Sequence, residues 1–292
     1  MFLNSGNTVL IVFMAVFVAP LIGGLLMGID RILSARLQGR IGPPILQPFY
    51  DMMKLMSKKP ISGTKIQIIC VFVYLVSMIL SLVLLMTGQD LLVMVLVLAM
   101  GSIFFILGGF SVKSPYSNIG AQREILQVLA YEPLIIFYVV AIYLKTGSFM
   151  TFKVFELKDP LLYSMPLFVV ALIIIMVIKL RKSPFDLSTS HHAHQELVKG
   201  ITTELSGRHL AVIELVHMYE MALLMVLAML LFATNLWIGL ALGLFCLFAT
   251  IVIDNITARL TWSDMLRFAW KIGVPITALN LAVIYYFSII KK

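Results

Sequence analysis

Charge and cysteine are both scarce in this chain of 292 residues. Only 12% of the residues are Asp, Glu, Lys or Arg, against about 25% in an ordinary soluble domain, so a water-soluble body of this size is excluded. The two cysteines, Cys70 and Cys246, lie in apolar stretches. Two thiols cannot ligate a four-thiolate iron-sulfur or a nickel-iron centre, and they suggest no disulfide framework. The first 29 residues carry no charged side chain. They therefore lack the basic front of a secretion signal and read as a retained span. No glycine-rich phosphate loop stands between a strand and a helix. Nor is an internal repeat evident, which argues against an inverted-repeat transporter.

What the chain has in quantity is apolar length. Hydrophobic residues make up 61% of it and mean hydropathy is +1.03. Uncharged runs at 1–29, 66–89, 91–112, 160–178, 221–253 and 272–290 compare with the roughly 20 residues that one crossing needs. The run 221–253 is too long for one ordinary span, and Asn235, Trp237 and Gly239 mark a break in it. A further helix is needed between Gln122 and Leu144, although Arg123, Glu124 and Glu132 stand in its first half. Two acids there are costly against lipid and ordinary against protein or a wet cavity. The predicted fold is all-α: one polytopic membrane domain, 1–292, with about eight transmembrane helices near 8–28, 66–86, 91–110, 122–144, 161–180, 212–234, 238–256 and 271–290.

An even number of spans puts both termini on one side. The opposite loops, 30–65, 111–121, 181–211 and 257–270, with the residues that flank them, hold 17 of the 22 Lys and Arg. Positive-inside bias makes those loops cytoplasmic and places both termini on the outer face. The net charge of +8 is thereby a matter of topology. A nucleic-acid partner would want a basic soluble face with stacking aromatics, and the sequence offers none.

Two of the cytoplasmic loops carry chemistry. In the first, Pro43, Pro44 and Pro48 interrupt the chain, and Leu46, Phe49, Tyr50, Met53 and Met56 then recur at helical spacing while Asp51, Lys54 and Lys58 point elsewhere. That is a short amphipathic helix in the interface, serving either as a positive-inside anchor or as the wall of a cavity. The other loop brings Asp186, His191, His192, His194, Glu196, Glu204, Arg208 and His209 into about thirty residues. Glu214, His217 and Glu220 follow at three-residue steps on one face of the next helix. Histidine titrates near about 6.5 and a desolvated glutamate rises toward neutrality, so such a row can pass protons, unless it serves only as hydrogen bonding between helices. A His-His-x-His run with Glu196 also admits a zinc or iron reading. It matches no strong ligand spacing, and a surface that receives a partner or carries protons fits it better.

Taken together, the loops resemble the subunit 1 family of respiratory complex I, which includes the large membrane anchor of energy-converting hydrogenases. The first loop carries Arg31, Gln38, Arg40, Gly42 and Pro43, then Leu46-Gln47-Pro48-Phe49, Asp51 and Lys54-Leu55. Further on come Gln122-Arg123-Glu124 with Gln127 and Tyr131-Glu132-Pro133, then Pro184-Phe185-Asp186, Glu196-Leu197-Val198, Gly200, Thr203-Glu204 and Ser206-Gly207. Arg259-Leu260, Arg267 and Trp270-Lys271 close the series. The resemblance implies a tilted bundle of eight spans whose cytoplasmic loops receive an iron-sulfur arm. Carried over residue by residue, it makes Glu132, Asp186, Glu196, Glu204, Glu214 and Glu220 candidates for proton or ion coupling, and His217 joins them from the helix-face row. Arg31, Arg36, Arg40, Asp51, Lys54, Arg123, Glu124, His191, His192, His194, Arg208 and Arg259 become the loop network that docks the arm.

Within that family, His192 and His194 stand where quinone-linked members carry an acidic run, two residues are inserted after Asp186, and a proline-asparagine-arginine repeat is missing after Pro43. Thr189 to Glu196 instead looks like the ferredoxin-linked branch of Ech-type [NiFe] hydrogenases. That branch implies a prokaryotic cytoplasmic (inner) membrane and no cofactor in this chain, with iron-sulfur clusters and a nickel-iron centre in partner subunits. The implied partners are a peripheral small [4Fe-4S] subunit, a large [NiFe] subunit, a ferredoxin-like subunit, an antiporter-like membrane subunit and the lipid bilayer. The chain would then be a non-metallated part of an oxidoreductase and translocase, not catalytic alone. Two alternatives stay open: the quinone-chamber subunit of a complex I-like dehydrogenase, and a passive anchor beside an ion-moving partner.

Overall fold

The computed structural model describes residues 5–61, 63–188 and 199–290. Among them there is no strand, and Asp90 and Met150 make one isolated extended bridge. The first uncharged run folds as α1 (Ser5–Phe13), a π turn (Met14–Val18) and α2 (Ala19–Leu37). The helix does not stop where charge begins. It continues through Asp30, Arg31 and Arg36, because no proline or glycine lies between Ile29 and Leu37, and the chain turns only at Gly39, with φ of +70°. The expected interfacial helix is α3 (Gln47–Met56), which carries Pro48 in its first turn. Phe49 packs on Gly24 of α2, while Tyr50, Met53 and Met56 stay exposed.

Two long apolar helices follow as a hairpin, α4 (Lys65–Met86) and α5 (Leu91–Phe110). Side chains cap both. Thr64 accepts the Gln67 N–H and Asp90 accepts those of Leu92 and Val93, satisfying donors that the helix itself leaves over. The helix required around Glu124 is α6 (Pro115–Thr146). It starts well before Gln122, since Pro115 in the first turn needs no N–H partner, and it ends on left-handed Gly147.

The run 160–178 is not one continuous helix. After the short α7 (Phe152–Phe155) come α8 (Leu161–Ser164), a break at Met165 and Pro166, and α9 (Leu167–Lys179). With 13 residues α9 reaches about 20 Å, less than the roughly 30 Å hydrocarbon core. Next come α10 (Gly207–Leu230) and α11 (Leu236–Ile256), separated where the sequence signals a break: Asn235 caps α11 by accepting the Trp237 N–H. The last rod is α12 (Trp262–Phe268), a π turn (Ala269–Gly273) and α13 (Val274–Ile290).

Among the described residues seven rods are long and apolar enough to cross a membrane, and α9 is a shorter apolar helix beside them. The chain is thus a polytopic all-α membrane protein. Its hub is α10, which packs against α2, α3, α4, α9 and α11. Beyond its first turns the helix is apolar on all sides, and Glu220 among its ionisable groups is held inside the protein. Gly23 makes the α2–α10 contact possible, since a Cβ there would collide with the Met218 carbonyl oxygen.

Candidate functional site

The site is organised by the turn that ends α9. Its backbone closes through Arg181 N–H to Ile178 O and Lys182 N–H to Val177 O, and Arg181 takes a φ of +53°. For a residue with a Cβ that conformation costs on the order of 1 kcal/mol or more. The turn sends two adjacent cations to different places: Arg181 into the bundle, Lys182 to the gap between α2 and α11.

Inside the bundle, Arg181 grips Glu124 of α6 with two nitrogens, at 2.8 Å and 3.3 Å. Its third nitrogen, Nη1, lies 3.1 Å from His217 Nε2 and 3.6 Å from Glu220 Oε2 on α10. The other Glu220 oxygen accepts the Tyr74 hydroxyl at 2.6 Å and faces Lys179 Nζ at 3.3 Å. Lys179 also stands over the Tyr131 ring, and Arg181 over Phe105. Lys179, Arg181, Glu124 and Glu220 are each no more than 5% exposed. Two cations therefore balance two carboxylates in a place from which water is nearly excluded. Removing one member would strand an opposite charge, the costly way to break such a group.

Nearer the loops, Lys182 Nζ donates to Asp30 Oδ1 at 2.7 Å and to Asp254 at 3.2 Å, and Asp254 also accepts the Ser183 N–H at 2.9 Å. Burial by itself pulls the Lys182 amine down, but Asp30 and Asp254 more than offset it and hold it above its ordinary range. Burial likewise opposes the Arg181 charge, and Glu124 and Glu220 outweigh it, so the guanidinium stays well above its usual value. Both levels of charge line one open cavity of about 780 Å³, with Asp30, Lys182 and Asp254 on its walls and Arg181, His217 and Glu220 deeper in. Among the described residues no group of three or more His, Cys, Asp and Glu is placed to hold a metal ion.

The predicted coupling residues divide by position. Glu220 and His217 reach the cavity; Glu214 stands beside His217, its Oε2 4.0 Å from Nδ1. Asp186 also lines the cavity and pairs with Arg259 at 3.3 Å. Glu132 lies half-buried farther along α6, and Glu204 lies in the loop before α10; neither lines the cavity. Glu196, His191, His192 and His194 fall outside the described residues.

Of the expected docking network, Arg31 pairs with Asp51 at 2.7 Å and Arg40 meets Gln38. Arg123 donates to Leu187 O, and Arg208 Nε donates to Met56 O. Arg36 and Lys54 are exposed. Glu124, expected with the loops, lies within the bundle at 5% exposure, because α6 already begins at Pro115 and carries it inward. The sequence reading missed Asp30, Lys179, Arg181, Lys182 and Asp254 as site residues. The available signal was an acid at the end of each of two apolar runs and a Lys-x-Arg-Lys at the end of a third.

A family model described as NADH dehydrogenase matches residues 8–285. The chain belongs to that family. It is 28% identical over 305 residues to one component of the NADH-quinone oxidoreductase of Thermomicrobium roseum, covering 87% of this chain and 88% of that one. Over 203 residues it is 30% identical to hydrogenase-4 component C of Escherichia coli, covering 64% of this chain and 63% of that protein. A chain in the structure of the membrane-bound sulfane sulfur reductase, an archaeal respiratory membrane complex, matches with a TM-score of 0.81 at 25% identity, over 95% of this chain and 99% of that chain. The resemblance drawn from the loops thus holds at the level of the NADH dehydrogenase subunit 1 family. Its relatives are subunits of multisubunit oxidoreductases in membranes, some linked to quinone and one to hydrogenase by name.

Proposed function

We propose that this chain is the membrane anchor and ion-coupling subunit of an energy-converting [NiFe] hydrogenase, linking ferredoxin oxidation and proton reduction in partner subunits to export of H+ or Na+. The observation that carries this reading is the run of ionised side chains from Asp30, Lys182 and Asp254 at the cavity wall to Glu220 and Glu124 within the bundle. Similarity to hydrogenase-4 component C and the histidines at 191, 192 and 194 favour the hydrogenase branch. Electrons arriving at a peripheral arm add negative charge beside the loops around Asp186 and Glu204. Charged side chains along the cavity answer by changing partners or protonation.

The energies permit it. Moving one elementary charge against 100 mV takes about 2.3 kcal/mol. A two-electron step over a 100 mV drop releases about 4.6 kcal/mol by ΔG = −nFΔE. One ion per electron pair is affordable at that drop and many are not. In this reading the loops face the cytoplasm of a prokaryote and both termini lie outside. The metal centres belong to the small [4Fe-4S], large [NiFe] and ferredoxin-like partners, with an antiporter-like subunit alongside.

The likeness to the sulfane sulfur reductase structure favours a second reading, the same membrane role beneath a sulfur-reducing module. Affinity purification in mild detergent, with peptide identification and nickel and iron quantification, separates the two. Nickel with abundant iron and a hydrogenase pair is expected; iron without nickel beside another catalytic module overturns the hydrogenase assignment. In the assembled complex Glu204→Gln is expected to slow turnover or uncouple it from ion movement. Wild-type rate and transport in that variant remove Glu204 from the coupling.

A further inference from the structure

We infer that Arg181 is a positioning residue that reports protonation of His217 to Glu220. The inference rests on the coupling reading above and deepens it by naming the group in the cavity that takes the proton. A guanidinium only donates hydrogen bonds, so His217 Nε2, 3.1 Å from Arg181 Nη1, is the accepting lone pair of a neutral imidazole. The ring hydrogen is then on Nδ1, on the side of Glu214.

The same Arg181 nitrogen has a second acceptor waiting. Glu220 Oε2 lies 3.6 Å away, buried and without a hydrogen bond, whereas Oε1 is already occupied by Tyr74 and Lys179. Arg181 Nε and Nη2 stay fixed on Glu124. That leaves Nη1 as the arm that can change partner by a small rotation about an anchored fork.

When a proton from cavity water binds His217 Nε2, the lone pair that held Arg181 is consumed and an N–H of a cation faces a guanidinium. Nη1 leaves and closes on Glu220 Oε2, from 3.6 Å to an ordinary hydrogen-bond length of about 2.9 Å. When the proton departs, the arm returns. A proton at the cavity surface is thereby read out as a change of hydrogen bonding at a carboxylate inside the bundle, and no other bond is made or broken.

The groups around His217 come from every side. Glu214 and Glu220 share its helix and Glu124 comes from α6, while Tyr74 of α4 and Lys179 of α9 hold the other oxygen of Glu220. Arg181 faces it from the turn after α9, which also carries Lys182, while Asp30 and Arg31 of α2, Asp254 of α11 and the loop residues Arg40, Asp186 and Arg259 line the same cavity. Burial and the Arg181 charge oppose an imidazolium here, and Glu214, Glu220 and Glu124 attract it. Arg181 is the cation that must yield to it.

The test is the structure of the wild-type complex at about pH 5 and about pH 9, on either side of the ordinary imidazole range near 6.5. Arg181 Nη1 is expected on His217 at the higher pH and on Glu220 at the lower. An arginine in the same place at both overturns the proposal. In His217→Gln the amide oxygen still accepts from Arg181 but takes no proton, so the arm is expected to stay put; movement with pH in that variant also overturns it. If the variant does not assemble, the wild-type comparison still decides. Ion transport per electron pair is read separately. An arm that moves in a complex that pumps nothing leaves the switch standing and overturns the coupling reading.

Discussion

Lys182 stands between Asp30 and Asp254, one ammonium facing carboxylates from two different spans, and its side chain is 14% exposed. Breaking a buried pair by deleting one partner costs about 3–5 kcal/mol, and the partial exposure of Asp254 places Lys182→Met toward the lower end of that range. The pH dependence has a definite sign. The folded amine is held above its ordinary value, so its contribution is fully present below the unfolded value of about 10.4 and is lost as pH rises through the higher folded value. Thermal unfolding of wild type and variant should therefore differ by a constant amount through neutral pH and converge in strong alkali. A deficit that stays unchanged into strong alkali, or no deficit at neutral pH, would show that the ammonium is not what joins α2 to α11.

Elements meet at these residues because the hub helix lets its neighbours come close. Valine at Gly23 would drive its branches into the Met218 carbonyl and push α2 away from α10. Overpacking of this kind costs about 1–3 kcal/mol. Gly23→Val should lower the unfolding temperature and the yield of assembled complex, and a wild-type value for both would mean that the two helices part without cost. Much at this scale was legible in the sequence, since apolar runs and the break marked at Asn235 are local properties. The break at Pro166 was concealed by an uninterrupted run of uncharged side chains, and the extension of α2 to Leu37 by the assumption that a helix ends where charge begins. His217 and Glu220 were legible because polar groups three apart inside an apolar helix are conspicuous. Their cations were not: Arg181 is 57 residues from Glu124, and Lys182 is 152 from Asp30. Each therefore read as one more basic residue at the end of a span.

For the whole molecule, function depends on which side of the membrane the cavity opens to. Hydrogen bonds and an ion pair tie the loops together at one end of the bundle: Lys182 to Asp30 and Asp254, Arg208 to Met56, and the Arg259–Asp186 pair. The cavity lies at that end, and most of the Lys and Arg lie there as well. If positive charge stays inside, the cavity takes its protons from the cytoplasm and an arm docked there is in contact with soluble electron donors. Native Cys70 and Cys246 are buried, so an added cysteine reports its own side against a silent background. Ser57 and Lys158 are exposed on opposite sides of the predicted topology. A membrane-impermeant maleimide should label Lys158→Cys in intact cells and Ser57→Cys only in inverted vesicles or opened membranes. The reverse pattern would turn the bundle over, open the cavity to the outside and leave a cytoplasmic ferredoxin no route to it; labelling of Ser57→Cys from both sides would mean that the α3 loop does not stay on one face.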